Sequence, residues 1–249
     1  ALRGEPIELV SCKTVDLEVP ADAEIVLEGG LLPNLREKEG PFGEFTGYYG
    51  QIVERPVVRI NAITHRKDAY YQSIPSGMAE HVQLPLPLRE ATILRELRRV
   101  VPTVRTVRFP AEGVGYVVHV SMEKVNEGDP KNILLFVLGL DPMVKMAIVV
   151  DDDIDIGNSR EMGWAIATRV QGDRDILLAP GARGNRLDPT SQDITRMARD
   201  GLVTKIGIDA TRPMGYGYEW PARIRNRLME GIDLDAILSP QGTSVSITG

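Results

Sequence analysis

Three observations predict a mixed α+β and α/β protein, a β meander followed by an α/β domain with a largely parallel sheet. From Ile7 to about Gln72 apolar residues alternate with polar ones, and no helical period appears. From Arg89 onward strand-like runs alternate with amphipathic helical ones, the pattern of parallel sheets with crossover helices. Between them Gln72 to Leu88 carries Pro75, Gly77, Pro85 and Pro87, which break both periods.

In order along the chain, Ile7 to Val19 reads as an alternating segment with Val15, Leu17 and Val19 on one face, and Cys12 within it as a small buried hydrophobe. Glu24 to Leu27 and Val57 to Thr64 read as short strands separated by Gly and Pro clusters, and this meander suits half of a barrel or sandwich. Arg89 to Val100 places Ile93, Leu94, Leu97 and Val100 on one helical face. Strands are predicted at Val104 to Phe109, Tyr116 to Met122, Met146 to Val150, Asp175 to Leu178 and Thr204 to Ile208. Helices are predicted at Pro130 to Leu140, Arg160 to Thr168 and Ser191 to Arg199. Tyr218 to Gly231 reads as a charged, exposed helix with Trp220 and Leu228 on it, and the Ser, Thr and Gly rich tail from Ser239 as disordered. The expected divisions are 1–75, a linker at 76–88, 89–212, and a helix and tail at 213–249.

With 43% hydrophobic residues the chain can bury a core, and a net charge of −6 with both signs interspersed gives neither a basic stripe for nucleic acid nor a polybasic membrane patch. The expected partner is a small molecule or another protein. One cysteine excludes an intramolecular disulfide and suits a reducing compartment. No apolar run reaches the length of a membrane span and no signal peptide is visible, so a cytoplasmic location is expected.

The most informative stretch is Glu39-Gly40-Pro41-Phe42-Gly43-Glu44, continuing to Tyr49. Two carboxylates bracket a Gly-Pro-aromatic-Gly turn, and paired acids of this kind can take opposite protonation states, one donating a proton while the other orients a partner. That is the equipment of a general acid. With Val19 to Gly29 upstream, Gly47-Tyr48-Tyr49-Gly50 downstream, and then Ile63-Thr64-His65-Arg66, Asp151 to Ile156 and Lys205 to Thr211, the motif resembles the signature of UbiD-like decarboxylases, in order along most of the chain. The resemblance implies that residues 1–75 are the carboxy-terminal part of a split β-barrel binding prenylated flavin mononucleotide, and that residues 89–212 form an oligomerisation domain. It implies that Glu44 protonates the product and that Glu39 pairs with an arginine outside this sequence. Mn²⁺ and K⁺ are implied beside the flavin phosphate, on ligands in an amino-terminal portion preceding Ala1, so the chain by itself is expected to be inactive. A homo-oligomer is expected.

Other residues carry weaker signals. His81 follows Gly77-Met78-Ala79-Glu80 at the domain junction, where the resemblance puts a wall of the substrate pocket; His119, inside an alternating strand, reads as structural. Arg66 beside His65 suits a flavin phosphate contact by charge. The loop Pro180 to Asp188 brings Asn185 and Leu187 forward as pocket residues, and a polar Asn185 would suit a hydroxylated ring. The run Asp151-Asp152-Asp153-Ile154-Asp155 follows a strand end; it reads either as a Mg²⁺ site or as a solvated end in which Asp153 or Asp155 caps the next element.

The expected activity is therefore a non-oxidative, reversible decarboxylation of an aromatic, hydroxybenzoate-like or α,β-unsaturated acid. The alternatives are a Mg²⁺-dependent phosphoryl-transfer or hydrolytic enzyme using the Asp151 to Asp155 run, and a non-catalytic assembly module.

Overall fold

A computed structural model describes residues 4–192, 201–215 and 219–222. Residues up to Arg212 form one body and Pro213–Gly249 a second unit, whose described residues hold no helix or strand. The expected helices at 191–199 and 218–231 and the tail from 239 lie wholly or largely outside the described residues. Among those described, no helix is long and apolar enough to cross a membrane.

The front of the chain makes two separate antiparallel pairs. β1 (Leu9–Ser11) pairs with β2 (Glu18–Pro20). β3 (Ile25–Glu39) pairs with β4 (Val53–His65) in a ribbon running from Ile25 opposite His65 to Glu39 opposite Val53. Both ribbon strands are longer than the sequence pattern suggested, because two register shifts absorb the residues that break the alternation. At Gly29 any Cβ would run into the Arg59 carbonyl. Pro33, which has no N–H to give, and Asn34, at φ 59°, fall in the unpaired stretch between Leu31 and Arg36. Among the described residues no closed barrel forms.

Glu28 ties these pieces together. Its buried carboxylate accepts hydrogen bonds from Lys13 N (2.8 Å), Thr14 N (2.6 Å) and Thr14 Oγ1 (2.7 Å), which hold it below the usual carboxylate range and fasten the β1–β2 turn to the ribbon. Cys12, only half-buried in that turn, is not the core residue its alternating setting implied.

The junction 76–88 is not a bare linker: it holds the short helix α1 (Ala79–Gln83) and the first residues of α2 (Leu86–Val100), with Pro87 in the first turn, where its missing N–H costs nothing. Next come β5 (Val104–Arg108), β6 (Val117–Met122), α3 (Asp129–Leu140), β7 (Met146–Asp151), α4 (Ser159–Arg169), β8 (Ile176–Arg183) and β9 (Leu202–Ala210). They make a five-stranded sheet in the order β5-β6-β7-β9-β8, parallel at β6-β7 and β7-β9 and antiparallel at both outer pairings.

Alternation along β7 sends Ala147 and Val149 to the side where α2 and α3 bury Ile93, Leu97, Ile133, Leu134 and Val137. Ile148 and Val150 go to the side of α4, with Met162 and Ala165. Each fully buried side chain of this size contributes roughly 1.5–3 kcal/mol. Gly207 lets α3 sit close, since a Cβ there would lie 3.1 Å from Leu134 Cδ1. Lys205, buried on β9, donates to the carbonyls of Leu138 (2.6 Å) and Asp141 (3.0 Å) at the end of α3, where helix carbonyls have no partner of their own. Burial lowers its pKa.

Candidate active site

The ribbon strands are joined by residues 40–52, which fold into a compact loop instead of a plain hairpin turn. Glu44 N donates to Tyr48 O (2.9 Å), Gly47 N to Glu44 O (2.9 Å) and Gly50 N to Phe42 O (3.0 Å), with Gly47 at φ 80° allowing the reversal. The half-buried Glu44 carboxylate folds back over Gly50, where a Cβ would stand 3.1 Å from its Oε1. On its other side the loop packs backbone to backbone on the junction: a Cβ at Gly43 would lie 3.2 Å from Ser76 O, and one at Gly77 would lie 3.1 Å from Glu44 O. Glycines thus hold Glu44 between its own loop and the start of the α/β region. Glu39 stays at the exposed end of β3, 3.5 Å from Arg55 Nε.

Phe45, next to Glu44, leaves the loop for a cavity of about 410 Å³ whose walls are mostly aliphatic, among them Ile74, Val82, Leu86 and Met143. Its ring meets Tyr116 edge to face at 5.5 Å and His81 at 6.5 Å. These contacts are worth about 0.5–1.5 kcal/mol each beyond burial. His81 Nδ1 accepts from Gly77 N (3.1 Å), so the neutral ring carries its proton on Nε2, leaving a donor for the cavity. Arg89 also lines this space, but Nε and Nη2 bind Asp141 Oδ2 (3.0 and 2.8 Å), Nη1 binds Gly115 O (3.0 Å), and the group lies 4.2 Å from the Phe109 ring centre. Two buried hydroxyls near the acid have no hydrogen-bond partner, Thr46 Oγ1 in the loop and Tyr116 Oη behind Phe45; burial, then the charge of Asp188, raises the Tyr116 phenol well above its ordinary pKa.

Of the residues singled out from sequence, the structure brings His81 to the cavity entered by Phe45 and sets Glu44 beside it in the chain. Asn185 lines a second cavity, of about 660 Å³, which shares Met143 with the first. Asn185 Oδ1 accepts from Leu187 N (2.7 Å); Leu187 itself is half-buried and lines neither cavity. Arg66 sits at the far end of the ribbon, exposed, with Nη1 3.3 Å from Glu24 Oε1. The acid run is occupied by cations of the protein itself: Arg169 binds Asp151 (2.9 Å) and Asp153 (2.9 Å), and Arg212 gives Asp151 its backbone N–H (2.8 Å). Burial raises the Asp151 pKa; at Asp153 the burial effect is outweighed by Arg169, and the net shift is downward. Asn158, not Asp153 or Asp155, caps α4, accepting from Arg160 N and Glu161 N. His119 is buried with Nδ1 on Ile156 O (3.2 Å), as a structural histidine. From sequence, Tyr116 and Arg89 carried no signal; Phe45 and Thr46 lay inside the acid motif but were given no role of their own.

The family model for the carboxy-terminal domain of 3-octaprenyl-4-hydroxybenzoate carboxy-lyase matches residues 84–210, and that for its Rift-related domain matches residues 1–79. Anhydromevalonate phosphate decarboxylase of Methanothermobacter thermautotrophicus is 44% identical over 210 residues, 84% of this chain and 48% of that protein. The UbiD-class enzyme HmfF from Pelotomaculum thermopropionicum in complex with FMN superposes with a TM-score of 0.85 at 44% identity, over 94% of this chain and 52% of that one. Its evolved dimeric form in complex with prFMN gives 0.78 at 39%, over 94% and 49%. Klebsiella pneumoniae 3,4-dihydroxybenzoic acid decarboxylase (AroY) gives 0.79 at 30%, over 92% and 51%. The chain spans about half the length of the curated relatives it matches.

Proposed function

The chain belongs to the UbiD family, and from that membership we propose that it carries the proton-donating side of a decarboxylase acting on an α,β-unsaturated carboxylic acid with prenylated FMN. The observation that carries this reading is the glycine-walled loop that fixes Glu44 while its neighbour Phe45 enters a largely aliphatic cavity with His81.

Loss of carbon dioxide breaks a carbon–carbon bond and leaves an electron pair on carbon, which no side chain can absorb. Prenylated FMN, when bound, supplies the electron sink. The chain's own residues fit such a group on its reacting side: a carboxyl, a histidine N–H, an orphan Thr46 hydroxyl and an apolar cavity. Among the described residues no cluster of three His, Cys, Asp or Glu side chains could hold a metal ion such as Mn²⁺. Glu44 hands its proton to the carbon that carbon dioxide has left, and recovers one from solvent. His81 Nε2 donates to a substrate oxygen and so orients it. The aliphatic walls keep water from competing for the reacting carbon. Glu39, at the ribbon end, answers a cation; within this chain that cation is Arg55, 3.5 Å away. The assembly expected is a homo-oligomer.

The substrate favoured is aliphatic, because the archaeal relative at 44% identity is named for anhydromevalonate phosphate. A hydroxybenzoate-like substrate remains the second reading, favoured by the match to the 3,4-dihydroxybenzoic acid decarboxylase. The test is Glu44→Gln in the full-length protein. Turnover should fall by about 10²–10⁴-fold, with flavin still bound and solvent deuterium no longer entering product. Near-normal decarboxylation by this variant would refute the role.

A further inference from the structure

We propose that a third cavity, at the β5 edge of the sheet between the start of α2 and the start of α4, binds a free α-amino acid with an aliphatic side chain. The inference goes beyond the reaction read above and does not depend on it, since Glu44, Phe45 and His81 take no part in these walls.

Strand register brings the polar groups together. Arg108 stands opposite His119 across the antiparallel pair of β5 and β6, so both side chains leave the sheet on the same face. The chain then turns at Pro110 and brings Glu112 into the same wall, while Glu90 arrives from α2 and Ser159 from the first turn of α4. Together they surround about 440 Å³.

Three of these groups are acceptors. His119, only 7% exposed, donates from Nδ1 to Ile156 O (3.2 Å), which leaves Nε2 with the lone pair of the neutral ring. Burial lowers its pKa and outweighs the Glu112 charge, which favours a proton there, so the ring is neutral near pH 7 and gives Glu112 no cation. Glu90 Oε1 accepts from Phe109 N (2.8 Å), which fixes that carboxylate in the wall with its second oxygen left to accept. Two carboxylates and a neutral imidazole match the three N–H donors of an alkylammonium group. They do not form a metal site: among the described residues no group of three such side chains could hold an ion.

The donors stand beside them. The Arg108 side chain lies along the loop before α4, where a Cβ at Gly157 would come 3.6 Å from its Nε. Among the described residues no salt bridge joins it to Glu90 or Glu112. With the Ser159 hydroxyl at the positive end of α4, the guanidinium suits a carboxylate, which it can hold through two parallel N–H bonds. Opposite charges that share one cavity without neutralising each other match a ligand that carries both. A simple amine or a simple acid would satisfy one half and leave the other desolvated without a partner. Leu86, Pro110 and Ile156 complete the walls and receive aliphatic carbon.

The experiment is calorimetric titration of the full-length protein with L-leucine, of which one equivalent should bind per chain. Glu112→Gln and Arg108→Gln, both at exposed positions and each checked for an unchanged melting temperature, should weaken binding roughly tenfold or more. N-acetyl-L-leucine, which lacks the ammonium, and L-leucinamide, which lacks the carboxylate, should show a loss of the same order. Absence of leucine binding, or an affinity unaltered by both substitutions, would overturn the proposal. So would leucinamide binding as tightly as leucine, the mark of a surface for a polypeptide amino terminus, or N-acetyl-leucine doing so, the mark of a carboxylate site alone.

Discussion

Replacing Arg169 with Met removes a cation from a nearly dry place while keeping most of the volume. The Arg169 side chain is 1% exposed and that of Asp151 8%, and their closest approach is 2.9 Å. Breaking a buried pair by deleting one partner typically costs about 3–5 kcal/mol. The low end applies, for two reasons. Arg212 still reaches Asp151 through its backbone N–H at 2.8 Å and Nε at 3.3 Å, and Arg169 Nε is itself buried without a partner, so the native arrangement already bears a desolvation penalty. About 3 kcal/mol is expected, or a fall of roughly 6–12 °C in melting temperature for a body of this size. The assay is urea unfolding of wild type and variant between pH 5 and 8. Burial already raises the Asp151 pKa. Without Arg169 the carboxylate takes a proton still more readily, so the deficit should be largest at pH 8 and shrink toward pH 5. A loss below about 1 kcal/mol that does not vary with pH would refute the reasoning. It would also mean that Arg169 does not neutralise the acid run, reopening the hard-cation alternative, for which added Mg²⁺ should then stabilise the protein.

Two further outcomes follow from the site and its surroundings. Gly77→Ala places a Cβ at φ 78° and 3.1 Å from the Glu44 carbonyl, so it should cost about 1–2 kcal/mol in stability and lower kcat more than it raises KM by shifting the acid; unchanged kinetics would show that the junction does not position Glu44. Burial lowers the His119 pKa, so below about 6.5, the ordinary histidine value, the unfolded chain takes up a proton the folded one refuses: stability is full above that pH and declines as pH falls toward the folded value. Urea titrations at pH 7.5 and 5.5 should show this decline in wild type and less of it in His119→Gln, and equal slopes would contradict the assignment.

Much of the α/β region was legible because its signal is local and periodic. Ile93 and Leu97 on α2, and Ile133, Leu134 and Val137 on α3, announce buried faces by spacing alone, and their helices begin and end within a few residues of expectation. The acid loop was legible for another reason, that Gly-Pro-Phe-Gly between two glutamates is a rare string. What escaped depended on partners distant in sequence. Nothing near Glu28 says that it holds the turn at Lys13 and Thr14, and nothing near Tyr116 says that it backs Phe45. The extra length of β3 and β4 escaped because Gly29, Pro33 and Asn34 read locally as strand breakers, whereas register shifts let the ribbon continue around them. The acid run stayed open between a metal site and a solvated strand end for want of knowing where Arg169 and Arg212 would fall.

The contact between Gly77 N and His81 Nδ1 makes the ring part of the frame as well as of the cavity wall. The ring cannot turn to follow a ligand without giving up that bond, so one backbone amide fixes which nitrogen faces the cavity. A ligand that brings an acceptor to Nε2 leaves the frame whole, whereas one that needs an acceptor from His81 has to break the contact that ties the ring to the residue packed against the Glu44 carbonyl.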